Sequence, residues 1–247
     1  MYNWLIIMIS LFYLILTLMN ITDIFFDLDR TLWDFDLNAE NTLIELCQIN
    51  DLKNLGIDTK DFIYSYTNHN EKLWSKYRKN LITKEMLRSE RFKLTLAEFN
   101  VEDSNLAVKL GNEYVQKCPL QTKLFPYAIE ILNYLKNKYN LHIITNGFEE
   151  VQNIKLKASN LAPFFKKIIT SEKVNVKKPD PKIFEYALNL IAAKAENTIM
   201  IGDDLPVDII GAKKCGIHQI YFNPKKKKHN QVIDHEISSL IQIKKIL

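Results

Sequence analysis

A chain of 247 residues that is 47% hydrophobic and 25% charged can bury a sizeable core, which argues against wholesale disorder. Its formal charge of +4 is mild, and much of it falls in one run, Lys225 to Lys228, read as a solvated loop rather than a surface for a nucleic acid polymer. The three cysteines, Cys47, Cys118 and Cys215, are widely spaced and form no CxxC, which argues against a disulfide framework or zinc knuckle and for a reducing, cytoplasmic setting.

Residues 4–19, WLIIMISLFYLILTLM, contain only Ser10 and Thr17 as polar residues. A membrane helix needs about 20 apolar residues, and a signal peptide needs a basic start and a small-residue cleavage site. This segment is short for the first, and for the second it lacks a preceding Lys or Arg and an A-x-A-like site. It also stands almost directly before the first predicted strand, so a helix in lipid would force the following domain against the bilayer. Residues 1–18 are therefore read as an extension upstream of Met19 and outside the folded enzyme, as a misassigned start codon would give. The alternative is an anchor, and membrane contact is expected only if residues 4–19 form one.

The first strand is predicted at 22–27, TDIFFD, an apolar run that ends on Asp27 with Asp29 and Thr31 just beyond. From about 37 to 120 the pattern changes. Amphipathic runs near 38–54, 60–79, 83–99 and 104–117 predict helices and no strand, with Thr83 as an N-cap. A helix near 127–139 leads to a strand at 141–145 that ends in Thr145–Asn146–Gly147. A helix near 149–159 and a strand at 167–170 come next. They precede VKKPDPKIF, where Lys177 and Lys178 stand before Pro179 and Asp180 can cap a helix over 180–193. A strand at 198–202 ends in GDDLPVD, which supplies Asp203, Asp204 and Asp208, and a helix near 206–215 and a strand at 217–222 close the series. This alternation predicts an α/β fold, a Rossmann-like parallel sheet buried on both faces with an inserted all-helical domain. The expected bounds are 19–36 and 121–247 for the core and 37–120 for the insertion.

Ligands of open parallel sheets bind beyond the carboxyl ends of the strands, where the strand order reverses. The chemistry-bearing residues fall at those ends. Several carboxylates in one crevice repel unless a cation sits among them, and an oxygen-only set without His or Cys favours Mg²⁺. A lysine and a threonine hydroxyl beside them could hold phosphate oxygens. A carboxylate can attack phosphorus to form an aspartyl-phosphate, and a second one two residues on can move the proton. Singly each motif is weak: DxD occurs in many loops, TNG is a common turn, KPDP is a good helix start and GDD can be only a turn. In this order, each after its own strand, they make a strong joint signal.

DLDRT, ITN, KKPDPKIF and GDDLPVD resemble the four motifs of the haloacid dehalogenase (HAD) superfamily over about residues 22–222. The resemblance implies that Asp27 is the nucleophile and Asp29 the general acid/base. It implies that Thr145 and Lys178 serve catalysis and bind phosphate, with Asn146 and Gly147 framing that pocket. It also implies a metal held by Asp27, the Asp29 main-chain carbonyl and Asp203, with Asp204 and Asp208 in support. The helical insertion resembles a C1 cap. FFDLDRTLWDF and SEKVNVKKPDPKIF look most like the YjjG/YfnB-type branch, associated with 5′-nucleotidase activity on pyrimidine nucleoside monophosphates. Arg30 departs from the small or polar residue found there in many members, and its side chain is expected to point out of the turn. Trp33, Trp74, Tyr77, Arg88 and Arg91 lie in or near the insertion and read first as core or surface residues.

The expected function is Mg²⁺-dependent hydrolysis of a small phosphoester, foremost a pyrimidine nucleoside 5′-monophosphate. Alternatives are a phosphatase or phosphomutase for a sugar phosphate or other small phosphoester, or a non-catalytic binding protein on the same fold. Asp29 argues against a dehalogenase, and no insertion lysine stands out for a phosphonatase.

Overall fold

The computed structural model describes residues 20–247, so the segment 4–19 and its reading as extension or anchor lie outside the described residues. Among those described, no helix is long and apolar enough to cross a membrane. The chain divides into two compact units.

The first unit holds residues 20–32, 125–145 and 163–247, with β1 (Asp23–Phe26) at its centre. All four residues of β1 are buried, as a strand covered on both faces requires. After a helical excursion the chain returns through a short helix, Ala128–Leu135, to β2 (Asn140–Thr145), and later forms β3 (Lys167–Thr170), β4 (Thr198–Gly202), β5 (His218–Phe222) and β6 (His235–Ile237). The sheet order is β3-β2-β1-β4-β5-β6 and every pairing is parallel. The order therefore reverses at β1. Phe26 is level with Ile143 of β2 and Ile201 of β4, so the residues just past all three strands meet at one end of the sheet. One face is packed by Phe25, Ile144, Ile169 and Met200 with Ile183, Phe184 and Ala187 of the helix Pro181–Ile191. Asp180 caps that helix by accepting from Lys182 N at 3.0 Å.

The second unit comprises Trp33–Leu124 and Asn146–Ala162. Its helices are α1 (Phe35–Ile49), α2 (Thr59–Arg78), α3 (Lys84–Ala97), α4 (Ser104–Lys117) and α5 (Glu149–Ala158). Asp34, Asp58, Thr83 and Asp103 cap the first four through side-chain oxygens, each satisfying an otherwise orphaned N–H. The interior is aromatic, with Tyr66 of α2, Phe92 of α3 and Tyr114 of α4 having ring centroids 4.9–5.7 Å apart.

Three features differ from the sequence reading. The segment 146–162, placed with the sheet from its pattern, belongs to the helical unit: Phe148 packs with Leu73, Tyr77 and Leu87, and Glu150 pairs with Lys84 at 2.9 Å. The single helix expected near 206–215 is a π turn, Leu205–Ile209, followed by a short helix, Ile210–Lys214, with Pro206 in the first turn where it has no N–H to offer. A sixth strand and a 3₁₀ segment, Leu240–Lys245, follow residue 222; a three-residue edge strand reading HEI has too little apolar pattern to be seen.

His142 of β2 is buried across from Phe25, its Nε2 3.1 Å from Asp23 Oδ1 and its ring 5.6 Å from the Phe25 ring. Burial holds this imidazole below its ordinary range against the pull of Asp23. The unfolded chain therefore binds a proton below about pH 6.5 that the folded chain resists, so this residue makes stability fall as pH drops. Replacing His142 with Gln is expected to flatten the acid limb of stability between pH 7 and 5, where one proton contributes up to about 1.4 kcal/mol per pH unit. Urea midpoints measured across that range check it; an unchanged slope would sink the assignment.

Candidate active site

The question posed by two carboxylates at a strand end has a backbone answer first. The ladder runs one residue past β1, because Asp27 N donates to Ile201 O at 2.9 Å. Asp27 is thus fixed on the central strand and buried, while Asp29, two residues later, is only half-buried. Lys178 arrives from the segment after β3, with its Nζ buried at 1% side-chain exposure. Nζ donates to Asp27 Oδ1 at 2.7 Å and to Ile144 O at 2.8 Å. It also lies 2.6 Å from Asp208 Oδ1, an ion pair without hydrogen-bond alignment. Burial works against this charge, but the carboxylates of Asp208 and Asp27 outweigh it and hold the amine above its ordinary range.

Asp208 stands on the π turn, and its Oδ2 accepts from Asp204 N at 3.1 Å. Gly202, the last residue of β4, makes room for it: a β-carbon there would lie 2.4 Å from Asp208 Oδ2. Asp204 caps the same turn, accepting from Val207 N at 3.2 Å. Asp203 accepts from Thr31 Oγ1 at 3.3 Å. One carboxylate oxygen each from Asp27, Asp203 and Asp208 fall within 4.8 Å of one another.

Electrostatics then set what this cluster can do. Burial pushes the Asp27 carboxyl up to about 7, opposed by Lys178 and reinforced by Asp208. Asp203 is pushed well above its usual range by burial and by repulsion from Asp208 and Asp27, with Arg30 opposing. Three carboxylates around one ammonium leave negative charge in excess, and the donors are all oxygen. That set fits a hard divalent cation.

Arg30 adopts a left-handed backbone at φ +64, where a β-carbon costs about 1–2 kcal/mol. That strain is why a small residue suits the position. Its charge partly offsets the upward push on the Asp203 carboxyl.

Thr145 ends β2, buried and level with Thr170 of β3. Asn146 and Gly147 follow it directly in the chain but belong to the helical unit. A β-carbon on Gly147 would lie 2.2 Å from Gln152 Nε2. Lys177, next to Lys178, is half-buried.

Within the helical unit, Trp33 is fully buried and donates from Nε1 to Gln121 O at 3.1 Å. Trp74 stacks on Phe148 at 5.3 Å, and Tyr77 meets the same ring edge-on. Lys84 Nζ and the Arg88 guanidinium sit 4.6 and 4.8 Å from its centre. Sequence reasoning passed over Phe148, although its place directly after TNG was a signal. It also passed over Lys155, buried with Nζ 4.2 Å from the Trp33 ring, because a lysine in an amphipathic helix reads as solvated.

The profile of haloacid dehalogenase-like hydrolases matches residues 23–216. The chain belongs to this hydrolase family. Pyrimidine 5′-nucleotidase YjjG of Escherichia coli is 30% identical over 91% of this chain and 96% of its own. Pyrimidine 5′-nucleotidase PynA of Streptococcus pneumoniae is 33% identical over 81% of this chain and 82% of its own. The crystal structure of the HAD-hydrolase YfnB of Bacillus subtilis, described as bound to magnesium and showing interdomain movement, superposes with a TM-score of 0.84. It is 28% identical and covers 92% of this chain and 98% of that one.

In this HAD hydrolase the Gly202–Asp208 approach is steric and can be tested alone. Gly202→Ala is expected to cost about 1–3 kcal/mol of stability, as over-packing does. It should also weaken hydrolysis by displacing Asp208 from Lys178. Chemical denaturation and phosphate release check both; a variant as stable and active as the parent would contradict the close approach.

Proposed function

We propose that this HAD hydrolase is a Mg²⁺-dependent phosphomonoesterase that works through an aspartyl-phosphate on a small phosphometabolite, a pyrimidine nucleoside 5′-monophosphate. The observation that carries the reading is the buried Lys178 ammonium, 2.7 Å from Asp27 and 2.6 Å from Asp208 beside the Asp203 carboxylate. A lysine so placed keeps Asp27 oriented and offsets charge that an incoming phosphate would add.

In this mechanism Asp27 attacks phosphorus, and the bond from phosphorus to the nucleoside oxygen breaks. Asp29, two residues on, gives that oxygen its proton and then takes one from the water that cleaves the acyl phosphate, returning Asp27. Thr145, Asn146 and Gly147 receive the phosphoryl oxygens by hydroxyl, amide and backbone N–H, while Lys178 neutralises them. Asp27, Asp203 and the Asp29 main-chain carbonyl would hold Mg²⁺, with Asp204 and Asp208 in support, and the ion would supply positive charge for the phosphoryl oxygens. Asp208 keeps Lys178 in place and is itself held by Asp204 N. The helical domain, drawn as 37–120 from the sequence, is assigned the part of a cap that excludes water and selects the leaving group.

Two observations favour a nucleotide. The curated relatives matching most of the chain include two that are named as pyrimidine 5′-nucleotidases. The helical unit is rich in buried aromatic and cationic side chains suited to a planar leaving group.

Asp27→Asn is expected to lower phosphate release from p-nitrophenyl phosphate by more than about 10³-fold, the scale on which a lost nucleophile is felt. EDTA should stop turnover and added Mg²⁺ should restore it. Full activity in either test overturns the mechanism. A phosphate-release screen across phosphometabolites tests the substrate: dUMP or dTMP on top supports a nucleotidase, and sugar phosphates on top would reassign it.

A further inference from the structure

A cationic turn stands at the active-site end of the first unit. β4 and β5 are parallel neighbours with Gly202 level with Tyr221, so Asp203 and Asp204 leave the sheet at the same end as Asn223. Burial and the carboxylates of Asp203, Glu236 and Asp204 hold the Tyr221 phenol above its ordinary range, so the end of β5 lies within the field of the carboxylate cluster. The chain then runs through Pro224 into Lys225, Lys226, Lys227 and Lys228, all exposed. Adjacent strands lie about 4.8 Å apart and one residue spans at most about 3.6 Å, which puts this turn on the order of 15 Å from Asp204.

The turn is held in shape by groups other than its ammoniums. Asn223 is buried and extends the ladder, donating from N to Ile237 O at 2.7 Å. Its side chain closes on Lys227: Oδ1 accepts from Lys227 N at 2.9 Å, and Nδ2 donates to Lys227 O at 2.9 Å. Nδ2 also donates to Glu236 Oε1 at 2.7 Å, and Lys226 N donates to Asn223 O at 3.0 Å. Lys226 takes a left-handed backbone at φ +49, a conformation that costs a residue with a β-carbon. On the far side, His229 sets its ring edge-on to Tyr221 with 5.5 Å between centres, and its Nε2 is 3.1 Å from Glu236 Oε2. A charged stretch that is free repels itself and extends, whereas this one is pinned at both ends and keeps its charges together.

The charge around the site gives this turn a task. Asp29, Asp203 and Asp204 are half-buried while the Lys178 ammonium is deeply buried, so an arriving phosphate dianion meets carboxylates first. Fixed charges of the same sign thin out an approaching ion, and fixed charges of the opposite sign concentrate it. We propose that Lys226, Lys227 and Lys228 form a cationic rim that gathers anionic phosphoesters at the carboxyl end of the sheet and lowers their KM without touching the reacting atoms. This rests on the phosphomonoesterase reading above and adds to it the residues that draw the dianion in. Such a field acts through solvent, so it fades as the Debye length falls from about 30 Å at 0.01 M salt to about 3 Å at 1 M.

In the full chain, the combined changes Lys226→Gln, Lys227→Gln and Lys228→Gln remove the charge and leave the Asn223 bonds that shape the turn. At about 0.01 M ionic strength this variant is expected to raise KM for UMP by about 10-fold, with kcat within about 2-fold of the parent. In about 0.5 M salt the difference should shrink below about 2-fold. A control with Lys166→Gln, Lys167→Gln and Lys194→Gln removes the same charge where β3 and β4 begin, at the opposite end of the sheet, and should move KM by less than about 2-fold. Equal rises in both variants would assign the effect to net charge, a rise that survives salt would assign it to contact or packing, and no rise would leave the lysines as solvated residues; each overturns the rim. If the triple variant does not fold, Lys227→Gln with Lys228→Gln carries the same test, with about a 4-fold rise expected. A parent that hydrolyses p-nitrophenyl phosphate but not UMP fails the nucleotide reading, and the same comparison on p-nitrophenyl phosphate then decides the rim. A parent that hydrolyses neither fails the phosphatase reading. Calorimetric binding of inorganic phosphate with Mg²⁺ at both salt levels then decides the rim, which falls if binding is absent or equal in parent and variant.

Discussion

The first unit is organised around one buried ion cluster. Lys178 Nζ meets oxygens of Asp27, Ile144 and Asp208, drawn from β1, β2 and the turn after β4. Three adjacent strands of the sheet are thereby tied at the end where their order reverses. Removing one partner of such a cluster leaves an uncompensated buried charge, typically worth about 3–5 kcal/mol. In the proposed mechanism the lysine would serve fold and chemistry by the same contacts. The cluster is also unbalanced toward negative charge, which costs stability in the protein alone and favours a divalent cation and a phosphate together.

Several local choices are consequences of that cluster. The ladder bond from Asp27 N to Ile201 O keeps the carboxylate on rigid backbone rather than on a loop. Gly202 has no side chain because Asp208 occupies the space. The π turn offsets the chain so that Asp204 and Asp208 face each other, with Asp208 N bonded to Asp204 O at 2.8 Å and Asp208 Oδ2 to Asp204 N at 3.1 Å. A regular helix entering at Pro206 would present Asp208 differently. Arg30 takes a left-handed backbone, and its positive charge opposes the upward push on the Asp203 carboxyl.

Much of this was legible in the residues, and what was not has physical causes. The five strands from β1 to β5 were visible because parallel strands buried on both faces are short, continuous apolar runs between helical periods. DLDRT, KKPDPKIF and GDDLPVD were visible because their charges sit where an apolar run stops. β6 was not, because an edge strand of three residues carries no pattern. The membership of 146–162 was not, because Phe148 is one aromatic residue, and only tertiary packing shows that it joins Leu73, Tyr77 and Leu87. Lys155 was hidden for a similar reason. Amphipathic periodicity assigns long cations to the solvent side, and their burial among rings is set by neighbours far away in sequence.

Lys178 and Arg91 are both deeply buried cations, and one rule shows how each is tolerated. A buried charge persists when its surroundings return what water would have given. Lys178 meets that condition within the first unit, since two carboxylates and a carbonyl surround its ammonium. Its contacts also fix the Asp27 carboxylate, 2.7 Å away. Arg91 meets it differently within the helical unit, where the rings of Tyr114, Phe92 and Tyr66 stand in place of carboxylates. The two units thus steady their buried cations by different chemistry, the first with carboxylates and a carbonyl and the second with aromatic faces.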